Sequence, residues 1–137
     1  VCFHGTYEFV EVINPNQQSK RVKIDACISD EIRSLNDQGI VTLGSCCGHG
    51  NAGQVEDWEN AFGKWKSCGN PPLALIDEVS VKLAANLGYR PFPYMYADGI
   101  SNGVWQMYLK TGCITKDDCQ KWHDKEGQKP LSLSGIL

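Results

Sequence analysis

Arg21-Val22-Lys23-Ile24-Asp25-Ala26-Cys27-Ile28-Ser29-Asp30-Glu31-Ile32-Arg33-Ser34-Leu35-Asn36-Asp37-Gln38-Gly39-Ile40-Val41-Thr42-Leu43 changes character twice within residues 21–43, and those changes decide the fold. Residues 21–24 read as a short strand. Between Cys27 and Gln38 the residues Ile28, Ile32 and Leu35 recur at helical spacing, acids come early, and Gly39 supplies the residue that ends a helix. Ile40 to Leu43 is apolar and β-branched, a second strand. A strand, helix, strand unit of this kind is expected to carry two parallel strands joined by a right-handed crossover.

Upstream, Thr6 to Ile13 is rich in aromatic and β-branched residues and runs into Asn14-Pro15-Asn16, so a strand and a turn precede the unit. Downstream, residues 51–72 set Trp58, Phe62 and Trp65 among charges and end in Cys68-Gly69-Asn70-Pro71-Pro72; they read as an insertion or excursion with one short helix. Leu73 to Ile76 is expected as a strand and Ser80 to Leu87 as a helix closed by Gly88. Tyr94-Met95-Tyr96 and Val104 to Leu109 flank a turn as a hairpin. Thr115 and Asp118 form a capping pair for a last helix through about Lys125, followed by a frayed tail at 128–137. The expectation is one compact α+β domain over 1–137: a mixed sheet, the strand-helix-strand unit, and a C-terminal hairpin plus helix.

At 137 residues there is room for one sizeable core. A net charge of −3 offers no general cationic surface, so nucleic acid is not a favoured partner and no polybasic membrane anchor exists. No apolar run spans a bilayer and no secretory signal opens the chain, which reads as soluble and cytoplasmic, although Val1 allows for a trimmed start.

Seven cysteines cannot all pair internally, and each of the three histidines, His4, His49 and His123, lies within four residues of a cysteine. That company points to metal ligation or thiol chemistry rather than a disulfide framework. The densest stretch is Ser45-Cys46-Cys47-Gly48-His49-Gly50, a glycine-hinged loop after the second strand. Parallel strands place their carboxyl ends together, so Asp25 and Cys27 are expected beside Cys46, Cys47 and His49. An antiparallel first strand would bring Cys2 and His4 to the same edge. Zinc needs four ligands, or three and a water. Adjacent side chains point apart in extended chain, so Cys47 is favoured over Cys46; His4, Cys27, Cys47 and His49 are the expected ligands, with Cys2 and Cys46 as alternates. Asp25 is expected either to orient a ligating imidazole or to cap the helix.

Taken singly, Cys27 is an ordinary buried core thiol, and the convergence of several ligand types is what favours metal over that reading. A nucleophilic Cys47 with His49 or His4 as base is the catalytic alternative. No arginine follows as a cysteine phosphatase loop requires, and no two-residue spacing as thioredoxin requires. Cys113, Cys119 and His123 match the latter part of a zinc finger but lack its first cysteine, so a capped helix with an inward Cys119 competes with a second site. Tyr89, Phe92, Tyr94, Tyr96, Trp105 and Tyr108 are expected as core, with pocket lining as the lesser reading.

With Cys2-Phe3-His4-Gly5, Ile24-Asp25-Ala26-Cys27-Ile28, Leu35-Asn36, Gly39-Ile40 and the SCCGHG loop in this order, the chain resembles a group of small uncharacterised proteins of bacteriophages, prophages and Gram-positive bacteria. The resemblance covers about residues 2–50 and is looser from Leu73, where it rests on Leu87-Gly88-Tyr89 and Lys110-Thr111-Gly112-Cys113. It implies a metal site at His4, Cys27, Cys47 and His49 and no particular activity. The expected function is a zinc-binding accessory protein with a protein or small-molecule partner. A zinc- or thiol-dependent hydrolase using the His4, Cys27, Cys47 and His49 site, favoured if that site is open and lies beside an acid such as Asp25 or Glu78, and a protein that sequesters a small ligand or nucleotide are the rivals.

Overall fold

A computed structural model describes residues 7–13, 16, 18–94 and 103–127. It is an α+β domain with antiparallel sheets. Strand β1 (Tyr7–Ile13) and β2 (Ser19–Asp25) form a hairpin in which Tyr7 faces Asp25 and Ile13 faces Ser19. After a 3-10 turn at Ala26–Ile28 comes helix α1 (Ser29–Asp37), with Asp30 and Glu31 in its first turn where the helix dipole favours acids. Ile28, Ile32 and Leu35 are almost fully buried, each stabilising the fold by about 1.5–3 kcal/mol. The helix ends in a Schellman motif: the Gly39 amide donates to Asn36 O and the Ile40 amide to Leu35 O, with Gly39 at φ +92°.

Strand β3 (Thr42–Cys46) begins two residues later than the apolar run suggests, because the Ile40 amide donates to Leu35 O at the end of α1 and the Val41 amide to Ser80 Oγ. The loop that follows leads to a ribbon of β4 (Val55–Asn60) and β5 (Gly63–Cys68), then to β6 (Leu73–Asp77). A 3-10 turn at 78–80 precedes helix α2 (Val81–Asn86), which ends in a second Schellman motif at Gly88 and Tyr89. The chain closes with β7 (Phe92–Pro93), β8 (Val104–Tyr108) and helix α3 (Lys116–Gly127). The order of the larger sheet is β3-β6-β8-β7. Its inner face presents Ala74, Ile76 and Met107 to the core, while Leu73, Leu75 and Gln106 alternate to the outside. The α3 cap is reciprocal: Asp118 N donates to Thr115 Oγ1 at 3.1 Å and Thr115 N to Asp118 Oδ2 at 3.3 Å.

Three expectations need correction. The strand, helix, strand order is present, but β2 and β3 share no ladder; every pairing among the described residues is antiparallel. A register break between Thr42 and Gly44 bends β3, and a cleft of about 220 Å³ separates it from β2. Residues 51–72 hold no helix but the β4–β5 ribbon, where Trp58 faces Trp65 with ring centroids 6.0 Å apart. Cross-strand aromatic pairing, not helical periodicity, organises this stretch. In the C-terminal hairpin Phe92–Pro93 pairs with β8, and the expected strand residues Met95 and Tyr96 lie outside the described residues, as does the 128–137 tail. No helix among the described residues is long and apolar enough to cross a membrane.

Candidate metal centre

Two carboxyl ends of strands meet as the sequence predicts, although a side chain rather than a ladder joins them. Asp25 ends β2, and its Oδ2 accepts the Cys47 amide at 2.8 Å, just beyond the end of β3. Asp25 occupies the N-cap position of the 3-10 turn without capping it. Its carboxylate is only 4% exposed. Burial works to raise its pKa and the hydrogen bonds from the amide and thiol of Cys47 work to lower it; the group lies below the ordinary carboxylate value.

The loop that carries the other donors is wound through three consecutive left-handed residues, Gly48 (φ +78°), His49 (φ +54°) and Gly50 (φ +74°). Space as well as φ demands glycine here: a Cβ on Gly48 would lie 2.2 Å from Asn70 O, and one on Gly50 2.7 Å from the backbone of Lys116. Asn51 bridges to Thr115, so the loop is clamped between the segment after β5 and the start of α3. A histidine in the left-handed region is strained, and the clamp on both sides holds it there.

This winding brings ligand atoms of Asp25, Cys47 and His49 within 4.8 Å of one another, a group that could hold a metal ion. Cys47 is fully buried. Its thiol hydrogen-bonds with Cys27, and its own Sγ accepts the His49 amide at 3.4 Å. On the other side, Cys46 Sγ lies 3.2 Å from His49 Nε2 and accepts the Gly48 amide at 3.3 Å. Two further thiols thus flank the trio: Cys27 on the buried side, Cys46 on the half-buried side.

The electrostatics fit a cation. The hydrogen bond with Cys27, then burial, push the Cys47 thiol far above its ordinary value; burial, with the charges of Asp25 and Cys47, pushes Cys46 up as well. A carboxylate that stays ionised beside two thiols that resist ionisation is an arrangement a divalent ion reverses, because its charge drives thiols to thiolates. Cysteine, histidine and aspartate are all zinc donors.

Of the expected ligands, Cys47 and His49 approach each other, with Cys27 hydrogen-bonded to Cys47 and Cys46 beside His49. Cys2 and His4 lie outside the described residues. Asp25, read from the sequence as an orienting or capping group, stands within ligand reach itself. Its signal was present in the chain: an acid at the carboxyl end of a strand that leads toward a cysteine and histidine loop. Cys113 and Cys119 are buried in the core, and the His123 side chain lies outside the described residues. Comparison with known protein families, with curated proteins and with solved structures finds no match to this chain.

Proposed function

We propose that this chain is a zinc-binding protein that acts as a small cytoplasmic accessory protein of phage or prophage origin. The observation that carries the metal reading is the mutual approach within 4.8 Å of Asp25, at the end of β2, and of Cys47 and His49, on a loop held in a strained conformation. Cys27 or Cys46 would complete four donors from this chain, His4 being the further donor the sequence suggests. Burial of Cys47 and Asp25 favours a structural ion, since a site closed from water adds its binding energy to folding. Elemental analysis with thiol counting, before and after chelation, tests this: one zinc per chain and at least two thiols protected until chelation are expected. Metal-free protein with freely titrating Cys46 and Cys68 and no zinc uptake would refute it.

One observation favours a hydrolase as the second reading: the half-buried Cys46 thiol meets His49 Nε2 at 3.2 Å, a nucleophile and base within reach. Hydrolysis of p-nitrophenyl acetate that disappears in Cys46→Ala while metal content stays constant would establish it; equal rates in both proteins would remove it.

A further inference from the structure

The outer face of the four-stranded sheet carries a cavity of about 230 Å³ that opens beside the metal cluster. Leu73, Leu75, Tyr94, Asn70 and Gln106 line it, and Cys46 lines it too, at the end of β3. Strand register explains the grouping: Cys46 faces Leu73 and Leu75 faces Gln106, so these side chains project from one face of the sheet, opposite the core residues Ala74 and Ile76. The same Cys46 places its sulfur 3.2 Å from His49 Nε2. The cavity and the cluster therefore share a wall.

Three properties define what fits. The volume lies below the roughly 300–1,000 Å³ of pockets for drug-sized ligands, so the occupant is about one ring system in size. Among the described residues no charged side chain lines the cavity, so a phosphate or a free carboxylate meets no counter-charge from them. The lining combines flat apolar surface from Leu73, Leu75 and Tyr94 with two carboxamides, Asn70 and Gln106; Gln106 Nε2 also donates to Pro93 O at 3.4 Å, which leaves its Oε1 as an acceptor.

The rim is also fixed in advance. A Cβ on Gly69 would lie 2.0 Å from Asn51 O, and Gly69 N donates to Gln54 O at 2.8 Å, so the backbone beside Asn70 is locked to the loop that carries His49. Preformed walls reduce the ordering entropy that binding must overcome.

We infer that this cavity binds a free, uncharged, planar nitrogen heterocycle with an amide-type edge, of the nucleobase class, and presents that edge to the Cys46–His49 side of the cluster. Carboxamides read such an edge, and an aromatic ring with leucine walls receives its faces. The presentation to the cluster rests on the metal reading; the cavity and its ligand class do not.

Calorimetric titration of the zinc-loaded full chain with uracil, cytosine, adenine and hypoxanthine tests this, with phenol and the 5′-monophosphate of the tightest base as comparators. One base is expected to bind 1:1 at least tenfold tighter than both comparators. Gln106→Leu should weaken it at least tenfold with zinc content and unfolding midpoint unchanged, and Leu75→Trp, which fills the cavity, should abolish it. Addition of that base should also shift the visible spectrum of the cobalt-substituted protein. No base binding tighter than phenol, or binding that survives in a folded Gln106→Leu and a folded Leu75→Trp, overturns the inference while leaving the zinc reading intact. Base binding with both variant effects in a protein that takes up no metal would overturn presentation to the cluster and the zinc reading, and would support the cavity's ligand class.

Discussion

Asp25 and Glu31 are both buried carboxylates at opposite ends of the same short stretch, and the structure uses them in different ways. Glu31 receives a full set of donors from two distant segments: Lys110 N at 2.8 Å, Thr111 N at 2.8 Å and Thr111 Oγ1 at 2.5 Å from one turn, and Tyr89 OH at 2.5 Å from the end of α2. No thiol or imidazole takes part in that set. Asp25 receives a loop amide too, but from Cys47, whose thiol and the neighbouring imidazole lie within ligand reach. Burial works to raise the pKa of each, accepted hydrogen bonds work to lower it, and both lie below the ordinary value. A buried, pKa-shifted acid is thus not by itself a functional site; the chemistry of its neighbours separates a tie from a candidate ligand.

The largest expected effect lies at the tie. Glu31→Gln removes the charge and turns a donor toward amides that already donate, which should destabilise the protein by about 3 kcal/mol in urea unfolding while zinc content stays the same. A loss under about 1 kcal/mol would mean that the two carboxylates are alike after all. Acid sharpens the same contrast. Because the folded pKa of Glu31 is lowered from its ordinary 4.5, the stability it supplies is complete above that value and fades as pH falls through the folded value. Unfolding midpoints between pH 3 and 7 should therefore drop on the acid side in the parent protein and drop less steeply in Glu31→Gln.

Asp25→Asn should do the reverse. Zinc affinity, measured by competition with a chelator, is expected to fall at least about tenfold, while the metal-free protein loses no more than about 1.5 kcal/mol. A variant that keeps its zinc affinity would make Asp25 a second structural tie. The smallest effect separates strain from ligation at His49. Asparagine tolerates the left-handed region better than alanine, so His49→Asn and His49→Ala should both lose zinc, with the alanine variant less stable by about 1 kcal/mol. Equal stability would mean that the loop relaxes once the imidazole is gone.

The Asp25 half of this contrast is legible in the sequence, and the Glu31 half is not. Helix α1 was legible because Ile28, Ile32 and Leu35 share a stripe and Gly39 ends it, and both Schellman motifs fall where Gly39 and Gly88 mark them. The meeting of residues 25–27 with 46–49 followed from the strand, helix, strand order. The absent ladder did not follow, because a run as short as Ile40 to Leu43 does not show whether it pairs with β2 or with β6. The β4–β5 ribbon was missed for a related reason: its alternation is of charge with indole, not of polar with apolar, and Ala61-Phe62 is not a typical two-residue hairpin turn. Glu31 escaped notice because its partners, Lys110 and Thr111, lie about eighty residues away, a distance that no local pattern reports.

The most direct test of the metal centre is the zinc content of the purified chain beside that of Asp25→Asn and Glu31→Gln, all handled under reducing conditions and dialysed against the same dilute chelator. One zinc per chain in the parent and in Glu31→Gln, with a clear loss in Asp25→Asn, is the predicted result; no zinc in the folded parent protein would contradict the account.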